Sequence, residues 1–145
     1  MRSKSIVAAR VLLGLVFFVF GLNGFLHFLP QPPHPGAAGA FLGGLAGAGY
    51  FFPLLKTTET VAGLALLSNR FVPLALTVLA PVIVNIVAFH TFLSPSPVMI
   101  VLLLGLEIFL AWSYRESFRG VLQARVRPVA DEATIGVHAE VASRG

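Results

Sequence analysis

Ile6–Leu29 reads IVAARVLLGLVFFVFGLNGFLHFL in one-letter code, and this stretch decides the fold class. About 24 residues in a helix extend roughly 36 Å, which is enough to cross the ~30 Å hydrocarbon core of a bilayer. Arg2 and Lys4 precede the stretch as they would in a signal peptide, but it is too long for the apolar region of such a peptide and no Ala-x-Ala site closes it. We therefore interpret it as a retained transmembrane helix.

The composition extends this interpretation to the rest of the chain. Of 145 residues, 57% are hydrophobic and only 11% are charged, so a soluble domain of this size could not bury the apolar surface. The net charge of +4 does not indicate nucleic-acid binding, because the basic residues flank apolar segments without an aromatic platform. Since there is no Cys, thiolate and disulfide chemistry are excluded, and redox chemistry would need a bound cofactor or a partner.

Turn residues divide the chain into four apolar segments and one short Gly-rich segment. The spans are predicted at 6–29, 53–67, 71–92 and 98–114, with a short helix at 36–50 whose small residues form one flat face for close packing. Residues 121–145 lose the apolar pattern and are predicted to form a disordered cytoplasmic tail. The predicted fold class is all-α: a polytopic membrane four-helix bundle in residues 1–120, with the Gly-rich helix at the outer surface between spans one and two.

The basic residues predict the orientation. Nine of the ten Lys and Arg residues, with Arg10 counted in the first flank, precede span one, separate spans two and three, or follow span four. The other two connections, Leu29–Phe52 and Phe92–Pro97, have none. Basic residues stay cytoplasmic during insertion, so we expect a multi-pass protein of the cell inner (plasma) membrane with both termini in the cytoplasm. If Gly36–Phe52 also spanned, the chain would cross five times and Arg115–Arg127 would lie outside, against this bias.

Ionisable and amide side chains inside the spans are the candidate functional residues, because such groups are costly in lipid. All of them lie at or above mid-depth on the non-cytoplasmic side. Glu59 and Glu107 are the candidate catalytic residues, in proton transfer. The candidate ligand-binding residues are Asn23, His27, Lys56, Asn85 and His90.

Each candidate also has a structural interpretation. Lys56 can snorkel to the outer headgroups or form an ion pair with Glu59, three residues later. Asparagines often hydrogen-bond between helices, and interfacial histidines are often satisfied locally. Asn23 and His27 are four residues apart and are expected to share a helix face. Asn85 and His90 are expected to point about 140° apart.

A haem group and a metal ion are two cofactors that side chains of these types bind. His27 and His90, on different helices near one level, fit the ligation of a b-type haem loosely, but such pairs are common by chance. No metal site is predicted, since neither Glu59 nor Glu107 is followed by His three residues later.

Three stretches resemble the DoxX family of small four-helix membrane proteins: RVLLGLVFFVFGLNG at 10–24, KTTETVAGLALL at 56–67 and APVIVNIVAFH at 80–90. The similarity covers about Ala8–Phe118. It implies a four-helix bundle with a short outer helix, and it implies quinone-linked redox processes such as those of thiosulfate:quinone oxidoreductase and quinol oxidase subunits. It also implies assembly with soluble sulfurtransferases or oxidant-defence enzymes. No residue role is carried over from the family.

The leading hypothesis is a quinone-interacting or accessory subunit of a membrane redox system, which makes an oxidoreductase function an open question. The main alternative is a non-enzymatic scaffold that recruits or stabilises partner proteins, and a small-molecule transporter is a third. The expected partners are the lipid bilayer, soluble or membrane redox proteins and further copies of the chain, but not nucleic acid.

Overall fold

The computed structural model describes residues 2–126, and the long regular elements in that range are helices. They are α1 (Arg2–Leu26), α2 (Gly36–Gly47), α3 (Phe51–Leu67), α4 (Val72–Phe92) and α5 (Pro97–Ser113). No strand occurs among these residues, so the all-α prediction is confirmed for the described part of the chain. Of the predicted tail, residues 121–126 form turns and coil, and 127–145 lie outside the described residues.

Two of the helices are long and apolar enough to cross a membrane: Ser3–Leu26 of α1 and the whole of α4. α2 and α3 pass the same test together, but they are bent by 93° at the break between them. α5 is apolar but has only 17 residues, the short end of the range for a spanning helix. The structure therefore supports a membrane protein with two or three candidate spans.

The four longer helices contact one another in a ring in the order α1, α3, α4, α5. Their inward faces supply the largest fully buried side chains: Leu13, Leu66, Leu76, Leu79, Ile83, Leu103 and Leu110. α2 packs chiefly against α3. It therefore lies at the end of the ring where α1 and α4 end and α3 and α5 begin, which we call the α2 end.

α1 and α3 make the closest contact in the molecule, because glycines face each other across it. A methyl group on Gly63 would lie 2.8 Å from the Cα atom of Phe18 and 2.9 Å from the carbonyl oxygen of Gly14. A methyl group on Gly21 would lie 2.6 Å from the hydroxyl oxygen of Thr60. Only residues without a side chain let the two backbones approach this closely.

Arg10 differs from its expected position in the flank of span one. It lies inside α1, is buried, and donates hydrogen bonds from its Nη1 to the carbonyl oxygens of Leu66 and Leu67. These carbonyls belong to the last turn of α3, where carbonyls lack their usual i+4 partner and the macrodipole favours a cation. The Leu66 carbonyl also accepts the backbone N–H of Asn69 at 3.2 Å. Arg10 therefore closes the end of α3 distant from α2.

The first helix ends three residues earlier than predicted. His27 adopts φ 51°, and its amide still donates to the Asn23 carbonyl at 2.9 Å, so the chain leaves the helix in a left-handed residue. The Asn23 side chain then binds the backbone of Leu29, accepting its N–H at 2.6 Å and donating to its carbonyl at 3.3 Å. The expectation that Asn23 and His27 share a helix face is therefore wrong.

α4 starts after the short turn that follows α3. Asn69 and Phe71 have φ of 56° and 55°, and Pro73 lies in the first turn of the helix, where its missing N–H costs nothing. Pro81 lies inside the helix, where it removes the bond to the carbonyl of Thr77.

The described residues 116–126 belong to a second unit of the chain. In its described part, Glu116 and Arg119 form an ion pair at 2.9 Å with largely exposed side chains. A pair this exposed contributes little stability.

Candidate functional site

A cavity of about 470 Å³ lies at the α2 end of the ring. Its wall is mostly apolar and comes from α1 (Val16, Phe17, Phe20), α2, the first half of α3, the second half of α4, and Met99 and Leu103 of α5. Ligand sites in proteins are usually concave and apolar, with a few polar groups that orient the ligand. Lys56, Glu59, Asn85 and His90 supply such groups here.

α2 covers one side of this cavity. Phe41, Leu42 and Leu45 face it, and their spacing places them on one side of the helix. The ring of Phe41 lies 6.1 Å from that of Phe89 on α4, and His34 meets the same ring edge-on at 5.6 Å. These aromatic contacts hold α2 and the preceding loop against α4.

Three glycines of α2 have no close neighbour among the described residues. A methyl group on Gly43, Gly44 or Gly47 would meet no atom within 4 Å. Gly39, by contrast, lies against the backbone carbonyl of His34 in the preceding loop. In the described part of the chain, close helix–helix packing occurs on the glycines of α1 and α3 rather than on Gly43, Gly44 and Gly47.

Lys56 and Glu59 form an ion pair, which was one of the two structural interpretations of Lys56. Their Nζ and Oε2 atoms are 2.7 Å apart, and the side chains are 18% and 5% exposed. The Lys56 stem packs against the bare backbone of Gly24 on α1. A paired, buried carboxylate and ammonium cost far less than either alone, so the pair places two charged hydrogen-bonding groups at the cavity wall without a net charge.

Asn85 and His90 both line the cavity although they lie about 140° apart around α4. The cavity-lining residues of α4 are Pro81, Val82, Asn85, Ile86, Phe89 and His90. Together they cover about half of the circumference of the helix. The cavity is wide enough to reach both edges of this face, so Asn85 and His90 line one cavity despite their angular separation.

The Asn85 amide has no hydrogen-bond partner among residues 2–126, and its side chain is exposed where the cavity opens beside α4. Asn85 lies seven residues before the end of α4, or about 10 Å along the helix. An amide at that depth in lipid is costly when unpaired. It is therefore available to a polar group of a bound molecule.

His90 lines the cavity, and one of its ring nitrogens is bound by the backbone of its own helix. Its Nδ1 lies 2.8 Å from the carbonyl oxygen of Ile86. Because a carbonyl only accepts, Nδ1 carries a proton in this contact, and Nε2 of the neutral ring is an acceptor.

Glu107 is buried and lies one helical turn beyond Leu103 on the same face of α5. Its Oε2 has no hydrogen-bond partner in the described residues. The residue lies ten positions into α5, about 15 Å from the start of the helix. A carboxyl group placed below an apolar cavity without a fixed partner is suited to exchange a proton.

Asn23 and His27 do not line the cavity. Asn23 is buried and both ends of its amide bind the Leu29 backbone, so it positions the connection to α2. His27 is exposed at the end of α1. The two histidines considered for haem, His27 and His90, are thus not brought to one cavity.

Gln31 and His34 line the cavity although they were not among the predicted site residues. Both belong to the proline-rich connection that leads to α2. Their position in the sequence could have identified them, because they are polar residues in a short connection between two apolar helices. Among residues 2–126, no group of three or more His, Asp or Glu side chains could hold a metal ion.

No protein-family model, curated protein or solved structure matches this chain. None of these comparisons identifies a DoxX family. Each of the three stretches quoted for that resemblance contributes to the site: 10–24 and 56–67 form the glycine contact and the ion pair, and 80–90 carries Asn85 and His90.

Proposed function

We propose that this protein binds a quinone in the cavity at the α2 end and serves a membrane redox system as a quinone-interacting or accessory subunit. The observation that carries the proposal is the unpartnered Asn85 amide on an apolar cavity wall that also holds the Lys56–Glu59 pair and His90. The resemblance to the DoxX family supports the redox context.

The polar groups around the cavity match the needs of a quinone head. A quinone has two carbonyl acceptors on opposite sides of an apolar ring. Donors are present at two places, the amide of Asn85 on α4 and the ammonium of Lys56 on α3. Aromatic side chains such as Phe20 and Phe89 supply flat apolar surfaces between them.

Proton transfer is assigned to Glu59 and Glu107. A quinone gains two protons and two electrons when it becomes a quinol. Glu59 lines the cavity and Glu107 lies one turn from the cavity residue Leu103, so we assign the supply of protons to these two carboxyl groups. The electrons would come from a partner protein, and the chain contributes no thiol to that transfer.

The proposed topology has four spans, formed by α1, α3, α4 and α5. α3 and α5 have 17 residues each and would cross nearly upright. The distribution of Lys and Arg then puts the α2 end on the non-cytoplasmic side of the cell inner membrane and both termini in the cytoplasm.

Mass spectrometry of the protein extracted gently from its own membrane tests the proposal first. We expect a quinone near one molecule per chain. Saturable binding of an added short-tailed quinone to the protein in lipid nanodiscs should then weaken about tenfold in Asn85→Leu, the loss of one good hydrogen bond to a ligand. Unchanged affinity in this variant would contradict the assignment of Asn85.

Thr77→Val provides the matched control. Thr77 is also polar, exposed and on α4, but it does not line this cavity, and its hydroxyl already donates to the carbonyl oxygen of Pro73. Its removal should leave quinone affinity unchanged. If Glu59→Ala and Glu107→Ala both keep quinone binding and turnover in folded protein, the assignment of proton supply to these two carboxyl groups is wrong.

A scaffold function is the second candidate, and it is favoured by the number of polar groups that the chain binds itself. Lys56 and Glu59 bind each other, and Asn23 binds Leu29. In a scaffold these contacts serve folding only, and proteins without quinone would be recovered by the gentle extraction. A transporter would instead show flux in liposomes without any partner.

A further inference from the structure

A second, almost entirely apolar groove of about 370 Å³ lies between α3 and α4, in the part of the ring away from α2. Its deepest residues are Ala62 and Ala75, which are buried, and its walls include Val61, Phe71 and Leu74, which are exposed. Nothing in the described part of the chain covers these walls.

The groove continues the cavity along α4. Phe71, just before α4, and Leu74, Val78, Pro81, Asn85 and Phe89 of α4 are among the residues that line the groove and then the cavity. Their spacing of three or four residues makes them one stripe along a single side of the helix. The groove residues end at Val78 and the cavity residues begin at Pro81, less than one turn apart.

On α3 the two sets of residues occur at the same level: Thr57 and Thr58 line the groove, while their neighbours Lys56 and Glu59 line the cavity. At 100° per residue they lie on different faces of the helix. The cavity also opens at Pro81 and Asn85, whose exposed side chains lie on the stripe that leads into the groove. The polar head site and the apolar groove are therefore adjacent parts of one surface.

We infer that the groove holds the first part of the tail of a prenylated quinone whose head occupies the cavity. This inference rests on the proposed function and identifies the ligand class as a quinone with a long tail. From Phe71 to Val78 the groove runs about 10 Å, so it accommodates the first isoprenoid units and releases the rest of the tail to lipid.

The shape favours one chain over a phospholipid. The groove is a single channel between two helices, with small residues at its base, and a diacyl lipid would leave one of its two chains outside. The groove also lacks a charged side chain, whereas a phosphate headgroup is bound through cationic or multiple polar contacts. The polar partners lie in the cavity and fit a neutral head.

Photolabelling of the full chain in nanodiscs tests the inference. The probe is a quinone that carries a diazirine on its second isoprenoid unit, and labelled residues are mapped by mass spectrometry. We expect labels on 61–65 and 71–78. Ala65→Phe, which fills the groove, should reduce these labels at least fivefold. Ala88→Phe, a matched change on an exposed residue of α4 that lines neither site, should leave them unchanged.

Two outcomes would overturn the inference while the proposed function stands. One is saturable quinone binding with labels on α1 or α5 instead of the groove. The other is a tightly retained phospholipid that keeps the probe out of the groove although the head still binds. If quinones of every tail length fail to bind saturably, the proposed function itself is wrong and this inference fails with it.

Discussion

α3 meets α1 and α4 in opposite ways. On the side of α1, Gly14, Gly21 and Gly63 bring the backbones into contact and leave no space. On the side of α4, the groove and the cavity together extend along most of α4. Because apolar lipid provides little drive for helix association, close van der Waals packing must hold such a protein together. The α1–α3 side therefore stabilises the fold, which leaves the α3–α4 side free to bind a ligand.

The largest loss of stability is expected when the Lys56–Glu59 ion pair is broken. This pair lies on α3 between the face that contacts α1 and the face that lines the cavity. Lys56→Met leaves Glu59 as a buried charge without its partner and should lower the free energy of unfolding by about 3 kcal/mol. Unfolding in a detergent titration measures this. The double variant Lys56→Met/Glu59→Leu should recover most of the stability but not quinone affinity. Full recovery of both would show that the pair has only a structural role.

A methyl group added at the α1–α3 contact should cause the next largest loss of stability. Gly63→Ala places its Cβ against backbone atoms of Phe18 and Gly14 that cannot move aside, and we expect a loss of about 2 kcal/mol in unfolding free energy. Gly105→Ala is the control, since a Cβ there meets no atom within 4 Å. Equal stabilities of the two variants would mean that the α1–α3 contact is looser than described.

Substitutions of Arg10 test the α1–α3 contact at the end of the ring away from α2. Arg10→Leu removes the donor to the Leu66 and Leu67 carbonyls and should cost about 1.5 kcal/mol of unfolding free energy. Arg10→Lys should recover part of this, because it keeps a cation at the end of α3. Lys4→Leu, an exposed change in the first turns of α1, should have no measurable effect on the detergent titration.

The smallest change in stability is expected for a substitution in the groove between α3 and α4. Leu74 is 61% exposed, so Leu74→Ala should change the unfolding free energy by less than about 0.5 kcal/mol. The same substitution at fully buried Leu13 should cost about 2–3 kcal/mol, because it leaves a cavity in the core. If Leu74→Ala were as destabilising as Leu13→Ala, the groove wall would be part of the core.

The sequence predicts the helices well, because hydropathy and turn residues are both local. The separate Gly-rich helix and the gathering of Lys56, Glu59, Asn85 and His90 at one end follow from segment order alone. Close packing does not follow in this way. Gly43 and Gly44 look like packing residues as much as Gly14 does, and only the fold shows which of them meets another helix.

Individual side-chain roles were also beyond the sequence. Asn23 binds the backbone of Leu29 because His27 turns the chain back in a left-handed conformation, and spacing does not reveal such a turn. Arg10 was counted as a flanking charge because its partners, two carbonyls at the end of α3, are more than fifty residues away along the chain. Because every residue has a backbone carbonyl, the residue types in the sequence do not show which carbonyls will accept a hydrogen bond from a side chain.

The composition of α2 has a kinetic consequence. Five of its 12 residues are Gly, each about 1 kcal/mol less favourable in a helix than Ala, and α2 packs chiefly against one neighbour. Its amide hydrogens should therefore exchange with solvent deuterium faster than those of α1 or α4, through local opening. Since α2 covers the cavity, we expect the dissociation rate of a bound molecule to rise and fall with that exchange rate, whatever its equilibrium affinity.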